Sequence, residues 1–256
     1  MSVTATARSV VDVVQKRNVT FLAASFAYYA FVSLFPLVLL AIAIGTLVGG
    51  QAFANALVTQ AGRFLSQEGQ TLLERTLQNT SGTGASVVGV VVLLWSSLKL
   101  FRGLVIAFEE VYETSPDVGI VEQVKKGLAT LVAVVFGVAL MVAIGAVLGT
   151  PLLAWIPFLD VAASFVLLLG LVFVFLPLYY VLPPIDVTLR EALPGTLFAA
   201  VGWLVLQFGF QLFMSSSSKY GLGGIVGTII VFLTWLYFAG ILLLVGAVIN
   251  VVVAGR

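Results

Sequence analysis

The sequence predicts an all-α polytopic membrane protein, built as a bundle of six transmembrane helices. Between consecutive charged residues the chain leaves six uncharged runs, each at least as long as the roughly 20 residues a helix needs to cross a bilayer. They are Asn18–Gly62, Thr76–Leu98, Gly127–Leu159, Val161–Ile185, 192–218 and Tyr220–Gly255. The chain is 61% hydrophobic and 9% charged, whereas soluble domains carry about 25% charged residues. The runs also lack the polar–apolar alternation of barrel strands, so each is expected to form a helix.

The predicted spans fill almost the whole chain, so residues 1–256 are expected to form one membrane domain. The spans are 21–48, 84–106, 127–149, 161–182, 192–214 and 224–252. With the N-terminus in the cytoplasm, nine basic residues fall on the inner side and three, Arg63, Arg75 and Lys219, on the outer side. Basic residues favour the cytoplasmic side. Both termini are therefore predicted to be cytoplasmic, in a multi-pass protein of the plasma membrane.

Three features outside the predicted spans indicate further local structure. The outer segment 51–81 mixes apolar residues with Gln, Asn and Thr, which predicts two short amphipathic helices. Before the fifth span, Thr188 followed by Glu191 predicts a capping box. Apolar residues also recur at helical spacing before the first span, which predicts an amphipathic helix on the membrane surface; they are Val3, Ala7, Val10 and Val14.

Composition excludes several function classes. The net charge of +1 gives no electrostatic basis for binding nucleic acid. The chain has no cysteine and no histidine, so it lacks the residues of a disulfide framework, a thiolate metal site and the commonest general base. No catalytic, metal or cofactor site is predicted, and the protein is not expected to be an enzyme. Membrane lipids are its expected partners.

The first span carries polar groups along one side. Ser25, Tyr29, Ser33 and Pro36 recur at helical spacing, with Tyr28 beside them. Pro36 removes a backbone donor, and transporters build binding sites from such interrupted helices. Ordinary packing is the alternative, with small residues allowing close approach and hydroxyls bonding across helices.

Charged and amide residues single out the second and fifth spans. Ser96 and Lys99 lie on one stripe of the second span with Arg102 near its edge, where the basic pair would attract an anionic solute or a lipid phosphate. Their predicted ion-pair partners are Glu109 and Glu110, and snorkelling of both basic side chains to the headgroups is the alternative. In the fifth span, Gln207 and Gln211 must face protein or water rather than lipid tails. They would line a cavity or join helices.

Several motifs resemble the YihY/BrkB family of six-span membrane proteins. The run Ala24–Pro36 is similar to the family's opening signature, and Leu94–Ser97 followed by Tyr112 is similar to its second-span pattern. The closing pattern is matched by Tyr220-Gly221, Gly227, Trp235–Tyr237, Gly246-Ala247 and Asn250. Val248 stands where many relatives have a glutamate, so no role of that acid carries over. Some members are called virulence factors and others, by an old label, tRNA-processing ribonucleases. The missing histidines and the position of the acids at the inner surface argue against a nuclease here.

Together these features predict a transporter or permease for a small anionic solute or a lipid, through a polar cavity lined by helices one, two and five. The alternative is an envelope scaffold that holds partners without transport. A water-filled cavity reaching Tyr29, Lys99 and Gln207 together would favour transport over the scaffold.

Overall fold

The computed structural model describes residues 3–33, 103–113, 120–148, 159–217 and 225–256, and every regular element in these ranges is an α-helix. This confirms the all-α prediction. The helices are α1 (Val3–Lys16), α2 (Val19–Ser33), α3 (103–111), α4 (Ile120–Leu148), α5 (Leu159–Val181), α6 (Leu189–Ser217) and α7 (Ile225–Ala254).

Helices α4 to α7 coincide with the last four predicted spans, although their ends extend beyond the predicted bounds in places. The first span, 21–48, is described only as far as residue 33, and the second, 84–106, only from residue 103. The predicted amphipathic helices of 51–81 lie outside the described residues. The number of crossings therefore stays a prediction.

Two helical stretches in the described ranges are long and apolar enough to cross a membrane by length and composition, Leu189–Phe213 and Ile229–Ala254. Shorter apolar stretches occupy Val19–Ser33 and Phe165–Val181. Large apolar side chains also cover the outside of the bundle, including Phe136, Phe165 and Phe208, each more than 60% exposed. Contiguous apolar surface of this kind is unusual for a water-soluble monomer and suits a lipid surrounding.

Helix α7 lies at the centre of the packing. Helices α4, α5, α6 and α7 pack in chain order, and α1 also contacts α7. Helix α2 reaches α7 through small residues, since a Cβ atom at Gly240 would lie 3.1 Å from the Ala23 carbonyl oxygen. Ala23, Ala27 and Ala30 are all buried, so α2 places its alanine face inward.

Helix α1 confirms the predicted amphipathic helix, but its apolar side packs against protein. Val10, Val13 and Val14 lie against the buried core. The helix ends at Lys16, and Asn18, whose φ is 49°, lets the chain turn into α2. Its location on the membrane surface stays a prediction.

The start of α6 confirms the predicted capping box. The Thr188 backbone N–H donates to the Glu191 carboxylate at 2.8 Å, and the Glu191 N–H donates to the Thr188 hydroxyl at 3.4 Å. The Arg256 guanidinium then pairs with the same carboxylate at 3.0 Å. The C-terminus of α7 is thereby fixed to the N-terminus of α6.

Candidate functional site

Three helices meet at one point near this end of the bundle. A Cβ atom added to Gly195 of α6 would collide with the Gly246 carbonyl oxygen of α7. A Cβ atom at Gly246 would in turn collide with the Tyr179 hydroxyl of α5 and lie 2.9 Å from the Gly195 carbonyl oxygen. Only glycine lets the backbones of α6 and α7 approach this closely, with a tyrosine from α5 against them.

Asn250 of α7 crosses this contact and bonds to the α6 backbone. Its Oδ1 accepts a hydrogen bond from the Gly195 N–H at 2.6 Å, and its Nδ2 donates to the Ala192 carbonyl at 3.3 Å. The Gly195 N–H donor is next to Pro194, which has no backbone N–H and lies inside the helix. Asn250 is 1% exposed, so its amide lies inside the bundle and pairs with the neighbouring helix.

Two tyrosines complete a set of buried polar groups that we call the inner polar cluster, defined as Tyr112, Tyr179 and Asn250. The Tyr179 hydroxyl donates to the Leu243 carbonyl at 2.9 Å. The Tyr112 side chain stacks on Phe108, and its hydroxyl lies beside Asn250. Burial raises the pKa of Tyr112 to about 12, although the nearby positive charge of Arg256 acts against it. The phenol is therefore neutral at physiological pH and is available as a hydrogen-bond donor.

The inner polar cluster joins α3, α5, α6 and α7 at one end of the bundle. Each hydrogen bond described above ends on another group of the protein, so this arrangement stabilises helix packing. The sequence alone indicates a polar contact for Asn250, since a lone amide in an apolar run needs a partner. The sequence does not indicate a polar contact for Tyr179, because its hydroxyl bonds to a carbonyl 64 residues away in the chain.

The candidate residues of the first span are divided between the two sides of α2. Ser33 is buried and Ser25 half-buried, whereas Tyr28 and Tyr29 are exposed. Tyr29 lies beside α3, since a Cβ atom at Gly103 would be 3.7 Å from its ring. The first and second predicted spans are therefore neighbours at Tyr29. Pro36 lies outside the described residues.

The two acids after the second span differ in burial on α3. Glu109 is buried at 6% exposure, together with its neighbour Phe108. Glu110 is exposed, on the same face as exposed Ile106. The predicted ion pairs to Lys99 and Arg102 stay predictions, because these basic residues and Ser96 lie outside the described residues.

The glutamines of the fifth predicted span are both exposed on α6, so the described helices do not enclose them. Trp203, one turn before Gln207, instead packs between Phe175 of α5 and Trp235 of α7, with ring centroids 5.6 and 5.2 Å away. This aromatic row continues to Phe232 and on to Phe31 of α2. Aromatic side chains thus link α2, α7, α6 and α5. The predicted cavity from Tyr29 through Lys99 to Gln207 stays a prediction.

Within the ranges that the structure describes, no three acidic side chains come close enough together to hold a metal ion. No solved structure matches the chain.

Sequence comparisons find relatives among bacterial proteins. The ribonuclease-like protein YfkH of Bacillus subtilis is 28% identical over 198 residues, which cover 73% of this chain and 72% of that protein. A UPF0761 membrane protein of Azoarcus sp. (strain BH72) is 28% identical over 246 residues, 89% of this chain and 58% of the relative. A UPF0761 membrane protein of Pseudoalteromonas translucida is 36% identical over 74 residues, 28% of this chain and 25% of the relative. The chain thus spans little more than half of the Azoarcus protein.

The family model described as virulence factor BrkB matches residues 10–256, nearly the whole chain. This confirms the resemblance predicted from the first-span and closing motifs. Apolar helices and relatives that are membrane proteins agree with it. The chain is therefore a helical membrane protein of the BrkB family.

Proposed function

We propose that this protein moves a small anionic solute or a lipid across the plasma membrane, as a multi-pass transporter or permease. The observation that carries the proposal is the burial of Glu109 at the end of the second predicted span. Glu109 lies three residues beyond that predicted span, at its inner end. A buried ionisable group is costly even there, and in membrane proteins such groups mark solute and ion pathways. One relative carries a ribonuclease-like name, but the described residues bring no three acidic side chains together that could hold a metal ion for a nuclease.

The proposed path follows the first two spans. Glu109 and Ser33 are buried, and Tyr29 lies where α2 meets α3. Lys99 and Arg102 precede Glu109 by ten and seven residues in the sequence, and the proposal assigns both to the same path. Lys99 and Arg102, at the inner end, would attract an anionic substrate. The Glu109 carboxylate would hold these basic groups in place until the substrate arrives.

The test is flux in liposomes that contain the purified protein. Chloride, phosphate, small organic anions and fluorescent phospholipids form the panel, with empty vesicles as the reference. We expect the wild-type protein to transport at least one class of substrate faster than the leak from empty vesicles. Glu109→Gln should lower this flux by roughly tenfold or more, because it removes the buried carboxylate on which the proposed path depends. Lys99→Ala should lower it by roughly tenfold as well, because it removes a basic group proposed to attract the anion.

Glu110 offers a matched control. It is the same residue type, one position along the same helix, but it is exposed. Glu110→Gln should therefore keep wild-type flux, and the thermal stability of each variant in detergent shows that it is folded. Flux no greater than in empty vesicles across the whole panel would overturn the transport proposal and favour an envelope scaffold.

A further inference from the structure

An ion pair joins the chain near the inner ends of the first two predicted spans. The Arg17 guanidinium, in the corner between α1 and α2, pairs with the Glu113 carboxylate just after α3, and the Lys16 ammonium lies 3.6 Å from the same carboxylate. A second contact lies further along both helices, where Tyr29 of α2 meets Gly103 of α3. Helices α2 and α3 are therefore neighbours that run in opposite directions, with the ion pair at one end.

The backbone has an unusual conformation on both sides of this ion pair. Glu113 itself has a φ of 55°, and Asn18, next to Arg17, has a φ of 49°. Asparagine tolerates this left-handed region, but glutamate adopts it rarely. Such strain persists only where the surrounding contacts impose it, and it is common in segments that switch. Without its ion pair, Glu113 would therefore relax toward an ordinary backbone conformation and move its carboxylate away.

The two partners differ in their access to water. The Arg17 side chain is 16% exposed, whereas that of Glu113 is 58% exposed. An ion pair with an exposed partner is weak, since water and salt screen it. A mostly buried guanidinium that loses its counter-charge is nevertheless unstable where it lies. Arg17 therefore has two favourable states, paired with Glu113 in the corner or released into water.

We infer that Arg17 and Glu113 form a latch that closes the cytoplasmic end of the transport path and opens in each cycle. The inference rests on the proposed function, which routes the substrate along the first two spans. Transporters commonly expose a central site by parting helices at one end. An anionic substrate that reaches the inner end would compete with Glu113 for Arg17, so its arrival would favour the open state.

A second ion pair at the same end of the bundle, Glu191–Arg256, is a matched control. It also joins a glutamate to an arginine between two helices, at 3.0 Å. Helices α6 and α7 are held together beside it by the close approach of Gly195 to Gly246 and by the Asn250 hydrogen bond. These helices would have to break close packing in order to part, so this pair is not expected to open.

Labelling of a cysteine between the two α2–α3 contacts tests whether the latch opens, with no need for transport. Ser25 lies between Arg17 and Tyr29 in the sequence and is half-buried, and Ser25→Cys supplies a single thiol because the chain has no cysteine. In inside-out vesicles, adding Glu113→Gln should raise its labelling rate by a membrane-impermeant maleimide roughly fivefold or more. Adding Glu191→Gln instead should leave the rate unchanged, and thermal unfolding shows that each variant is folded. Equal rates in the two variants overturn the latch.

Reversible crosslinking tests whether transport needs this opening. Arg17→Cys combined with Glu113→Cys gives two thiols for a bifunctional methanethiosulfonate reagent, whose spacer avoids the strict Cα distance of a direct disulfide. In liposomes, the link should lower the flux of the chloride, phosphate, organic anion or phospholipid that the wild type carries by roughly tenfold, and reduction should restore it. The same link between Glu191→Cys and Arg256→Cys should leave flux unchanged.

Failure of the latch and failure of the transport proposal give different results. Flux that continues after Arg17→Cys is linked to Glu113→Cys overturns the latch and leaves the transport proposal in place. Flux absent from the wild-type protein overturns the transport proposal and the latch's role in transport, while the labelling of Ser25→Cys still decides whether the corner opens.

Discussion

At the scale of single residues, two glycines decide how closely α6 and α7 approach. Gly195 and Gly246 place backbone against backbone, and Asn250 bonds across the same contact. Side chains could yield to an added methyl group, but a carbonyl oxygen held in a helix cannot move without the helix moving. Small residues of this kind drive helix association in membranes, where lipid competes equally for apolar contact.

Gly195→Ala should therefore destabilise the protein by about 2 kcal/mol or more, because the new methyl group meets the Gly246 carbonyl and lies 2.7 Å from Asn250. Gly209→Ala on the same helix is the control, since no atom lies within 4 Å of its added Cβ. It should be neutral or stabilise the protein by up to about 1 kcal/mol, because alanine favours a helix. Thermal unfolding in detergent measures both. Equal stability of the two variants would mean that the Gly195 contact does not form.

At the scale of elements, the start of α6 is fixed from three sides. The capping box closes its first turn, Asn250 bonds to the turn around Pro194, and Arg256 ties the end of α7 to Glu191. The Arg256 guanidinium also donates to the Asp186 carbonyl at 3.4 Å. The ion pair is partly exposed, so solvent screens it and it contributes little. The cap and Asn250 carry more of the stability of this end.

Thr188→Ala should cost about 1 kcal/mol of stability, since the Glu191 N–H loses its side-chain acceptor. Thr234→Ala on α7 is the control, because the Thr234 hydroxyl is exposed and donates only within its own helix, to the Ile230 carbonyl. That change should stay within about 0.5 kcal/mol of wild type. Denaturation of the two variants side by side in the same detergent provides the comparison, and a larger loss for Thr234→Ala would contradict the assignment.

At the scale of the whole molecule, contacts between distant segments gather at one end of the bundle. Arg17 and Lys16 pair with Glu113, and the Lys126 ammonium donates to the Pro183 carbonyl at 3.1 Å. The Glu191–Arg256 pair lies beside Tyr112. These segments are the ones that the distribution of basic residues predicts to lie on the cytoplasmic side.

Single cysteines test this orientation. Asp186→Cys and Gly255→Cys should react with a membrane-impermeant maleimide in inside-out vesicles and remain unlabelled in intact cells. Lys219→Cys, in a predicted outer loop, should show the reverse pattern. Labelling of the Asp186→Cys thiol from the cell exterior would reverse the predicted topology.

The sequence by itself determined the class of the molecule and much of its local structure. Long uncharged runs specify apolar helices, and the Thr188–Glu191 spacing specifies a cap, because both depend on residues close together in the chain. The first-span and closing motifs also predicted the family. Only the tertiary structure decided which side of each helix faces inward. Adjacent Glu109 and Glu110 differ in burial, the Tyr179 hydroxyl bonds to a carbonyl 64 residues away, and Gln207 and Gln211 are exposed. An apolar helix hydrophobic all round leaves its buried side unmarked in the sequence, so packing between backbones, set here by Gly195 and Gly246, makes that choice.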